Sequence, residues 1–99
     1  HYSAAIPVAP QLSQNYPNPF NPETVIRFVL PRGQEVDLVV NNLGGQRVAT
    51  LVSGYREAGT YSLTWDGRDD RGMMLASGTY LYRLRTTTGI QTRKLVLVR

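Results

Sequence analysis

Apolar and polar residues alternate along most of the chain, in runs separated by clusters of glycine, proline and asparagine, whereas helical spacing of apolar residues is not sustained anywhere. Because successive side chains of a strand point to opposite faces of a sheet, these runs predict β-strands. The predicted strands cover residues 24–30, 35–42, 47–52, 60–66, 79–86 and 90–99, with a short one near 11–15. About seven strands at such intervals are typical of an immunoglobulin-like antiparallel β-sandwich, so the predicted fold class is all-β.

The alternation also assigns side chains to the two faces of each predicted strand. The side chains expected in the core are Ile26, Phe28, Leu30, Val36, Leu38, Val40, Tyr61, Leu63, Trp65, Tyr80, Tyr82, Leu84, Leu95 and Leu97. The last strand turns Lys94, Val96 and Val98 to the opposite face. Aliphatic side chains beside cations suit a surface that contacts another protein, and a face covered by a loop or a neighbouring domain would have the same pattern.

One short pattern occurs twice, because residues 58–63 (Ala-Gly-Thr-Tyr-Ser-Leu) resemble residues 77–82 (Ser-Gly-Thr-Tyr-Leu-Tyr). We interpret this as local corner chemistry rather than a structural repeat, since each copy places glycine at the entrance of a strand and tyrosine two residues later. In the second copy, Leu75, Gly78 and Tyr80 match a tyrosine corner, in which the phenol hydrogen-bonds back to nearby backbone. We therefore predict such a bond for Tyr80.

Composition limits what a chain of 99 residues can be. Its size suits a single domain, and the absence of cysteine excludes disulfides, thiolate catalysis and cysteine-based zinc sites. No apolar run approaches the roughly 20 residues of a membrane helix, so membrane insertion is not expected. Residues 1–10 are rich in alanine and proline and are interpreted as a linker from an upstream domain, which leaves residues 11–99 as the folded domain.

Charge and residue types argue against catalysis and against nucleic-acid binding. The net charge is +4, and ten of the eleven basic residues are arginines scattered from Arg27 to Arg99, which is typical of a solvated surface. The only histidine is His1 in the predicted linker, so no catalytic triad can be assembled. The aromatic residues fall mainly on inward positions, whereas a nucleic-acid surface needs them exposed among the cations. We therefore expect a non-enzymatic domain without a cofactor.

An acidic cluster remains as a candidate metal site. Asp66, Asp69 and Asp70 precede Gly72, and calcium prefers several carboxylate oxygens on one loop, although the spacing is not that of an EF-hand. Aspartate and glycine are also the residues that tight turns select. The sequence leaves both interpretations open.

Several segments match a known family in order along the chain. They are Asn15–Pro22, Val48–Val52, Thr64–Asp69, Ala76–Tyr80 and Arg93–Leu97. Together they resemble the C-terminal sorting domain, type A, of cargo proteins of the type IX secretion system, over Gln11 to Arg99. The segments Trp65–Asp69 and Gly78–Tyr80 also resemble the immunoglobulin-like domain of the flagellar hook-capping protein. The Asn-Pro-Phe-Asn-Pro start and the ending at Arg99 favour the sorting domain.

This resemblance implies a sorting signal that directs a larger cargo protein through the periplasm and outer membrane to the cell surface or exterior. The implied partners are the type IX machinery of the outer membrane, a sortase-like protease and the upstream cargo domain. The residues implied in recognition by the translocon are Gly78, Tyr80, Lys94, Leu95, Val96, Leu97, Val98 and Arg99. The implied entry motif consists of Asn18, Pro19, Phe20, Asn21 and Pro22. A structural spacer or a carbohydrate-binding module of a secreted enzyme is the alternative, and the latter would need exposed aromatic residues.

Overall fold

The computed structural model describes residues 9–99, so residues 1–8 of the predicted linker lie outside the described residues. Seven strands follow one another, and all strand pairs are antiparallel. They are β1 (Gln11–Leu12), β2 (Thr24–Leu30), β3 (Gln34–Asn41), β4 (Arg47–Arg56), β5 (Gly59–Trp65), β6 (Gly78–Thr86) and β7 (Gly89–Leu97). Within residues 9–99 there is no helix long and apolar enough to cross a membrane.

The strands form two sheets, one of three strands in the order β1-β2-β5 and one of four strands in the order β4-β3-β6-β7. This confirms the predicted all-β, immunoglobulin-like sandwich. The arrangement differs from a constant-type immunoglobulin domain, in which the fourth strand joins the sheet of the fifth. Here β4 pairs with β3, so the three-stranded sheet ends at β5.

The core lies between the sheets and consists of the side chains that the alternation turns inward. Twelve of the fourteen predicted core side chains are buried, and the two exceptions, Tyr61 and Leu63 on β5, are only half-buried. Phe20 and Leu12, which precede β2, add to the same cluster. The core is therefore closed on the side of β1 and β7 and more open on the side of β5.

The predicted ends of three strands were wrong, and pairing partners explain the differences. The fourth strand was predicted to end at Val52, but it continues to Arg56 because Gly54 and Arg56 keep pairing with Val36 and Gln34 of β3. The first strand is two residues long instead of five, and the last ends at Leu97 instead of Arg99. Local alternation does not show where a partner strand stops.

The two ends of the sandwich, which we call poles, carry different segments. The C-terminal pole carries the entry motif, the loop of residues 66–77 and Val98–Arg99. The N-terminal pole carries residues 9–10 and the turn between β6 and β7, where the Gln91 side chain hydrogen-bonds to the Pro10 carbonyl. At about 3.3 Å per residue, the nine residues of β7 separate the poles by roughly 30 Å. An upstream domain would thus join the pole opposite to the entry motif.

Candidate functional site

The entry motif pairs directly with the end of β7. The Phe20 N–H donates to the Val96 carbonyl at 3.0 Å, and the Val98 N–H donates to the Phe20 carbonyl at 3.0 Å, which makes a parallel bridge between Phe20 and Leu97. The Asn18 side-chain oxygen accepts a further bond from the Val96 N–H at 2.9 Å. These bonds satisfy backbone groups on the side of β7 that faces away from β6. The two segments of the resemblance therefore form one structural unit.

An aromatic cluster lies beneath this unit. The ring centroid of Phe20 is 5.7 Å from that of Trp65, and the Trp65 ring lies edge-on to Tyr80 at 6.4 Å. Leu95 and Leu97 of β7 are fully buried in the same core. Four of the residues implied in entry or recognition, Phe20, Tyr80, Leu95 and Leu97, are thus core residues. A partner protein could touch them only if the fold opened.

The remaining candidate residues lie at or near the surface of the C-terminal pole and of β7. Gly78 and Val96 are half-buried, and Val98 is 46% exposed. The other exposed candidates are Asn18, Pro19, Asn21, Pro22, Lys94 and Arg99. The structure thus divides the predicted residues into the four buried ones, which support the surface, and the exposed or half-buried ones, which we call the rim.

The predicted tyrosine corner is confirmed. The Tyr80 hydroxyl donates to the Ala76 carbonyl at 2.7 Å, and Gly78 between them has a φ of +155°, which a residue with a side chain rarely adopts. The first copy of the pattern forms the same corner, because the Tyr61 hydroxyl donates to the Glu57 carbonyl at 2.7 Å. Both corners stand at crossings from one sheet to the other, namely from β4 to β5 and from β5 to β6.

Arg99 fastens the end of the chain to the loop of residues 66–77. Its guanidinium donates to the Leu75 carbonyl at 2.7 Å and to the Gly67 carbonyl at 2.8 Å, and its N–H donates to the Ser77 hydroxyl at 2.8 Å. A Cβ atom at Gly67 would lie 2.7 Å from the guanidinium, so glycine allows this close approach. Recognition of the terminal residue by a partner would compete with these internal bonds.

The acidic cluster of the loop is bonded internally. Asp66 pairs with Arg68 at 3.4 Å, Asp69 accepts the N–H groups of Arg71 and Met73, and Asp70 accepts the Thr50 N–H at 2.8 Å. Within residues 9–99, no three acidic or histidine side chains are grouped so that they could hold a metal ion. Of the two interpretations, the structure supports turn formation by side-chain bonds to the backbone.

Side chains of β6 and β7 hold the segment that precedes the entry motif. The buried Tyr82 hydroxyl donates to the Ser13 carbonyl at 2.7 Å and accepts the Asn15 N–H at 2.8 Å. The Arg93 guanidinium donates to the Leu12 carbonyl at 2.7 Å, and the Gln91 side chain accepts the Leu12 N–H at 2.8 Å. Residues 10–15 are therefore positioned by the same strands that carry the candidate signal.

Substitution Tyr82→Phe is expected to reduce stability by about 1–3 kcal/mol, because it leaves the Ser13 carbonyl and the Asn15 N–H without their buried partner. Burial raises the pKa of the Tyr82 hydroxyl above its ordinary value of 10.0, and the Asn15 N–H and the Arg93 charge oppose this only partly. The greater stability of the wild type relative to Tyr82→Phe is therefore complete below pH 10 and declines as the pH rises through the pKa of Tyr82 in the folded state. Urea unfolding of both proteins from pH 8 to pH 11 measures this difference. An equal stability of the two proteins at pH 8 would contradict it.

With this geometry in place, the family can be decided. A model of the FlgD Ig-like domain family matches residues 21–89, more than half of the chain. The chain belongs to the FlgD Ig-like domain family. The matched region includes Gly78 and Tyr80 and ends before most of β7, so the pairing of Phe20 with β7 is a feature that lies outside the family match.

Solved structures similar to this FlgD Ig-like domain include parts of two proteins from Porphyromonas gingivalis. A dimeric latent PorU from Porphyromonas gingivalis matches with a TM-score of 0.72 at 22% identity, over 90% of this chain and 9% of that chain. PorZ of the same organism, described as a surface component of the type IX secretion system, matches with a TM-score of 0.59 at 17% identity, over 87% of this chain and 11% of that one. At these identities the likeness shows a shared fold.

Two further similar structures are FlgD proteins. FlgD from P. aeruginosa matches with a TM-score of 0.59 at 28% identity, over 75% of this chain and 61% of that chain. FlgD from Xanthomonas campestris, described as a hook-capping protein, matches with a TM-score of 0.57 at 22% identity, over 92% of this chain and 63% of that chain. No curated protein sequence matches this FlgD Ig-like domain. The domain thus spans a small part of PorU and PorZ and less than two thirds of the FlgD chains.

Sequence reasoning missed the internal bonds of Arg99 and the role of Tyr82, Gln91 and Arg93. Tyr82 was predicted only as a core residue, and its position on an inward-facing strand gave no sign of a bond to residues 13–15. For Arg99 the resemblance implied only a role in recognition by the translocon. A terminal arginine carries no sequence mark of the carbonyl groups that it contacts. The single cue was Gly67, whose missing side chain makes room for the guanidinium.

Proposed function

We propose that this FlgD Ig-like domain is a non-catalytic sorting domain, which directs a longer protein through the type IX secretion system to the cell surface or exterior. The observation that carries the proposal is the pairing of Phe20 with Val96 and Val98. It joins the entry motif and the terminal strand, which are the two most specific parts of the resemblance. Because 78 residues separate Asn18 from Val96, the joined surface exists only in the folded domain.

The exposed rim of the C-terminal pole is the surface that we assign to recognition. Lys94 is the only lysine of the chain. Val98 has an exposed aliphatic side chain and lies two residues beyond Val96, which bonds to Phe20. The partner in this proposal is the outer-membrane machinery of the type IX system. Buried Phe20, Tyr80, Leu95 and Leu97 act in it as positioning residues, since they hold the rim in place without touching a partner.

The position of the chain entry supports the same proposal. Residues 9–10 lie at the N-terminal pole, where Pro10 bonds to Gln91. At about 3.3 Å per residue, this is roughly 23 Å along the chain from Val98 and roughly 10 Å from Lys94. A cargo domain upstream would leave the end of the rim around Val98 accessible to the machinery. A sortase-like protease would separate the cargo from the domain at the junction between them. Part of PorZ, a surface component of the type IX system by its description, has a similar fold.

A second candidate function is structural, as a module of an extracellular assembly of the hook-cap kind. The family match and the two FlgD structures favour it. A carbohydrate-binding module has less support. Tyr16 is 79% exposed beside β2 and Tyr55 is 55% exposed at the far end of β4, so these two aromatic side chains belong to different sheets and do not share one flat platform. Affinity electrophoresis against polysaccharides tests that function directly.

To test the sorting function, residues 9–99 are fused to the C-terminus of a periplasmic reporter in a bacterium that has a type IX system. We expect the reporter at the cell surface or in the medium, and in the periplasm when the outer-membrane translocon is deleted. The control fusion carries a different immunoglobulin-like domain of equal length and should stay in the periplasm. Delivery that persists without the translocon, or that the control domain supports equally, would exclude a type IX sorting signal and leave the structural function.

A further inference from the structure

The four-stranded sheet extends one strand beyond the three-stranded sheet. Strand β1 lies against β7, as the bonds of Gln91 and Arg93 to Leu12 show. When the sheets are aligned from that side, β2 faces β6, β5 faces β3, and no strand faces β4. The partly buried apolar residues that pack against the core are, apart from Leu75, all on β4 and β5; they are Val48, Leu51, Val52, Tyr61 and Leu63. The sandwich thus has a gap of one strand beside β5.

The edge of β5 that borders this gap has unbonded backbone groups. On β2, the carbonyl of Arg27 and the N–H and carbonyl of Val25 form hydrogen bonds on the side of β1. Because alternate residues of a strand direct their backbone groups to opposite sides, the N–H and carbonyl groups of Ile26 and Phe28 point toward β5. Their register partners are Leu63 and Tyr61, which leaves the N–H and C=O groups of the alternate residues directed into the gap. These residues are Thr60, Ser62 and Thr64, and within residues 9–99 no hydrogen bond reaches their backbone.

The other three sheet edges are each covered over part of their length from within the chain. Asn18 and Phe20 bond to β7, Gln91 and Arg93 bond to β1, and Asp70 bonds to Val48 and Thr50 of β4. Proteins usually protect an edge strand with a lysine, a proline, a bulge or a covering segment. The seven residues of β5, Gly-Thr-Tyr-Ser-Leu-Thr-Trp, contain no charge and no proline, and their pairing with β2 is regular.

We propose that the gap beside β5 binds one extended segment of another polypeptide, which adds to β5 as the fourth strand of its sheet. The backbone of Thr60, Ser62 and Thr64 supplies the hydrogen bonds, as in other cases of β-strand addition. Every second side chain of the added segment would face Leu63 and Val52. The partner segment therefore alternates apolar and uncharged polar residues and lacks proline at its centre.

The shape of the gap selects a single strand rather than a second copy of this domain. If two β5 edges paired antiparallel, each β4 would have to occupy the space of β4 or β3 in the other copy, because β4 lies beneath the gap. A lone segment has no such second layer. Gly54 favours this occupant, since it pairs with the inward-facing Val36 and carries no side chain that could fill the gap. The inference does not depend on the sorting function.

The test uses residues 9–99 and a synthetic peptide of about nine residues, in which valine and threonine alternate between two terminal lysines. Amide resonances of the domain are followed by NMR during titration. We expect saturable shifts at Thr60, Ser62 and Thr64. A peptide of the same composition with its valines adjacent to one another should bind at least tenfold more weakly. Absence of saturable shifts, or shifts confined to β7, would overturn the proposal.

Two variants separate strand addition from other binding. Ser62→Pro removes an N–H that no described residue bonds, so the fold should persist while binding weakens at least tenfold. Leu63→Lys places a charge toward the gap and should have the same effect on binding. Thr92→Pro on the outer side of β7 is the matched control and should bind as the wild type. Unchanged binding by either β5 variant, with the fold confirmed by its NMR spectrum, would contradict the proposal.

Discussion

Deletion of Lys94–Arg99 is expected to unfold the isolated domain. It removes Leu95 and Leu97, whose side chains are 0% and 1% exposed, and loss of a buried leucine side chain typically costs about 2–5 kcal/mol. The two losses alone amount to roughly 4–10 kcal/mol, against a total stability of about 5–15 kcal/mol for a typical domain. Phe20 also loses both of its backbone bonds to β7. The remaining chain therefore has too little buried surface for a stable sandwich.

Circular dichroism and urea unfolding of residues 9–93 beside residues 9–99 measure this effect. We expect no cooperative transition for the shortened chain at 25 °C. Arg99→Ala is the matched control, since it removes only the side-chain bonds to Leu75 and Gly67 and should cost about 1–3 kcal/mol. A cooperative transition of the shortened chain near the wild-type midpoint would mean that β7 is dispensable for the core.

This prediction changes how a truncation in a secretion assay should be interpreted. A reporter that loses Lys94–Arg99 would fail to be delivered whether a receptor reads those residues or the domain simply unfolds. The same holds for Phe20, Tyr80 and Trp65, which form the aromatic cluster under the rim. Only exposed positions can separate recognition from folding.

The fold itself could be predicted from alternation, because a sandwich buries every second residue of each strand and the pattern records this directly. The tyrosine corner at Tyr80 was predictable for a similar reason, since the glycine and the tyrosine stand at a fixed local spacing. The extension of β4 to Arg56 was not, because pairing with β3 sustains it rather than any local pattern. Long-range partners decide where a strand ends.

The candidate site shows the same limit. The sequence pointed to the entry motif and to the terminal strand separately, and nothing in either motif indicates that Phe20 bonds to Val96 and Val98. Asn18 looks like a turn residue, yet its side chain accepts a bond from the Val96 N–H across the pole. This pairing decides which motif residues are exposed and which are buried. The pairing is a long-range contact, so the amino-acid sequence of either motif alone does not indicate it.

The double substitution Lys94→Glu and Val98→Asp is expected to abolish delivery of the reporter fusion while the domain stays folded. Both side chains are exposed, so the free energy of unfolding should change by less than about 1 kcal/mol. The backbone bond of Val98 to Phe20 does not depend on the side chain. A partner surface that is complementary to Lys94 and Val98 carries negative charge beside an apolar patch. The two substitutions place negative charges against that surface, and like charges across an interface cost several kcal/mol.

A matched control applies the same charge changes at the N-terminal pole. Arg32→Glu and Thr88→Asp alter two exposed residues in turns of that pole, where the Thr87 hydroxyl bonds to the Gln34 side chain. The control protein should fold and be delivered as the wild type. If the control failed and the rim variant succeeded, recognition would lie at the junction with the cargo instead of at the rim.

The sorting proposal is tested most directly by the fraction of reporter at the cell surface, compared between the rim variant and the control variant after both domains are matched for unfolding midpoint. We predict that the rim variant is reduced at least tenfold and accumulates in the periplasm, whereas the control stays within about twofold of the wild type. Equal surface fractions for the rim variant and the wild type would contradict recognition through the C-terminal pole.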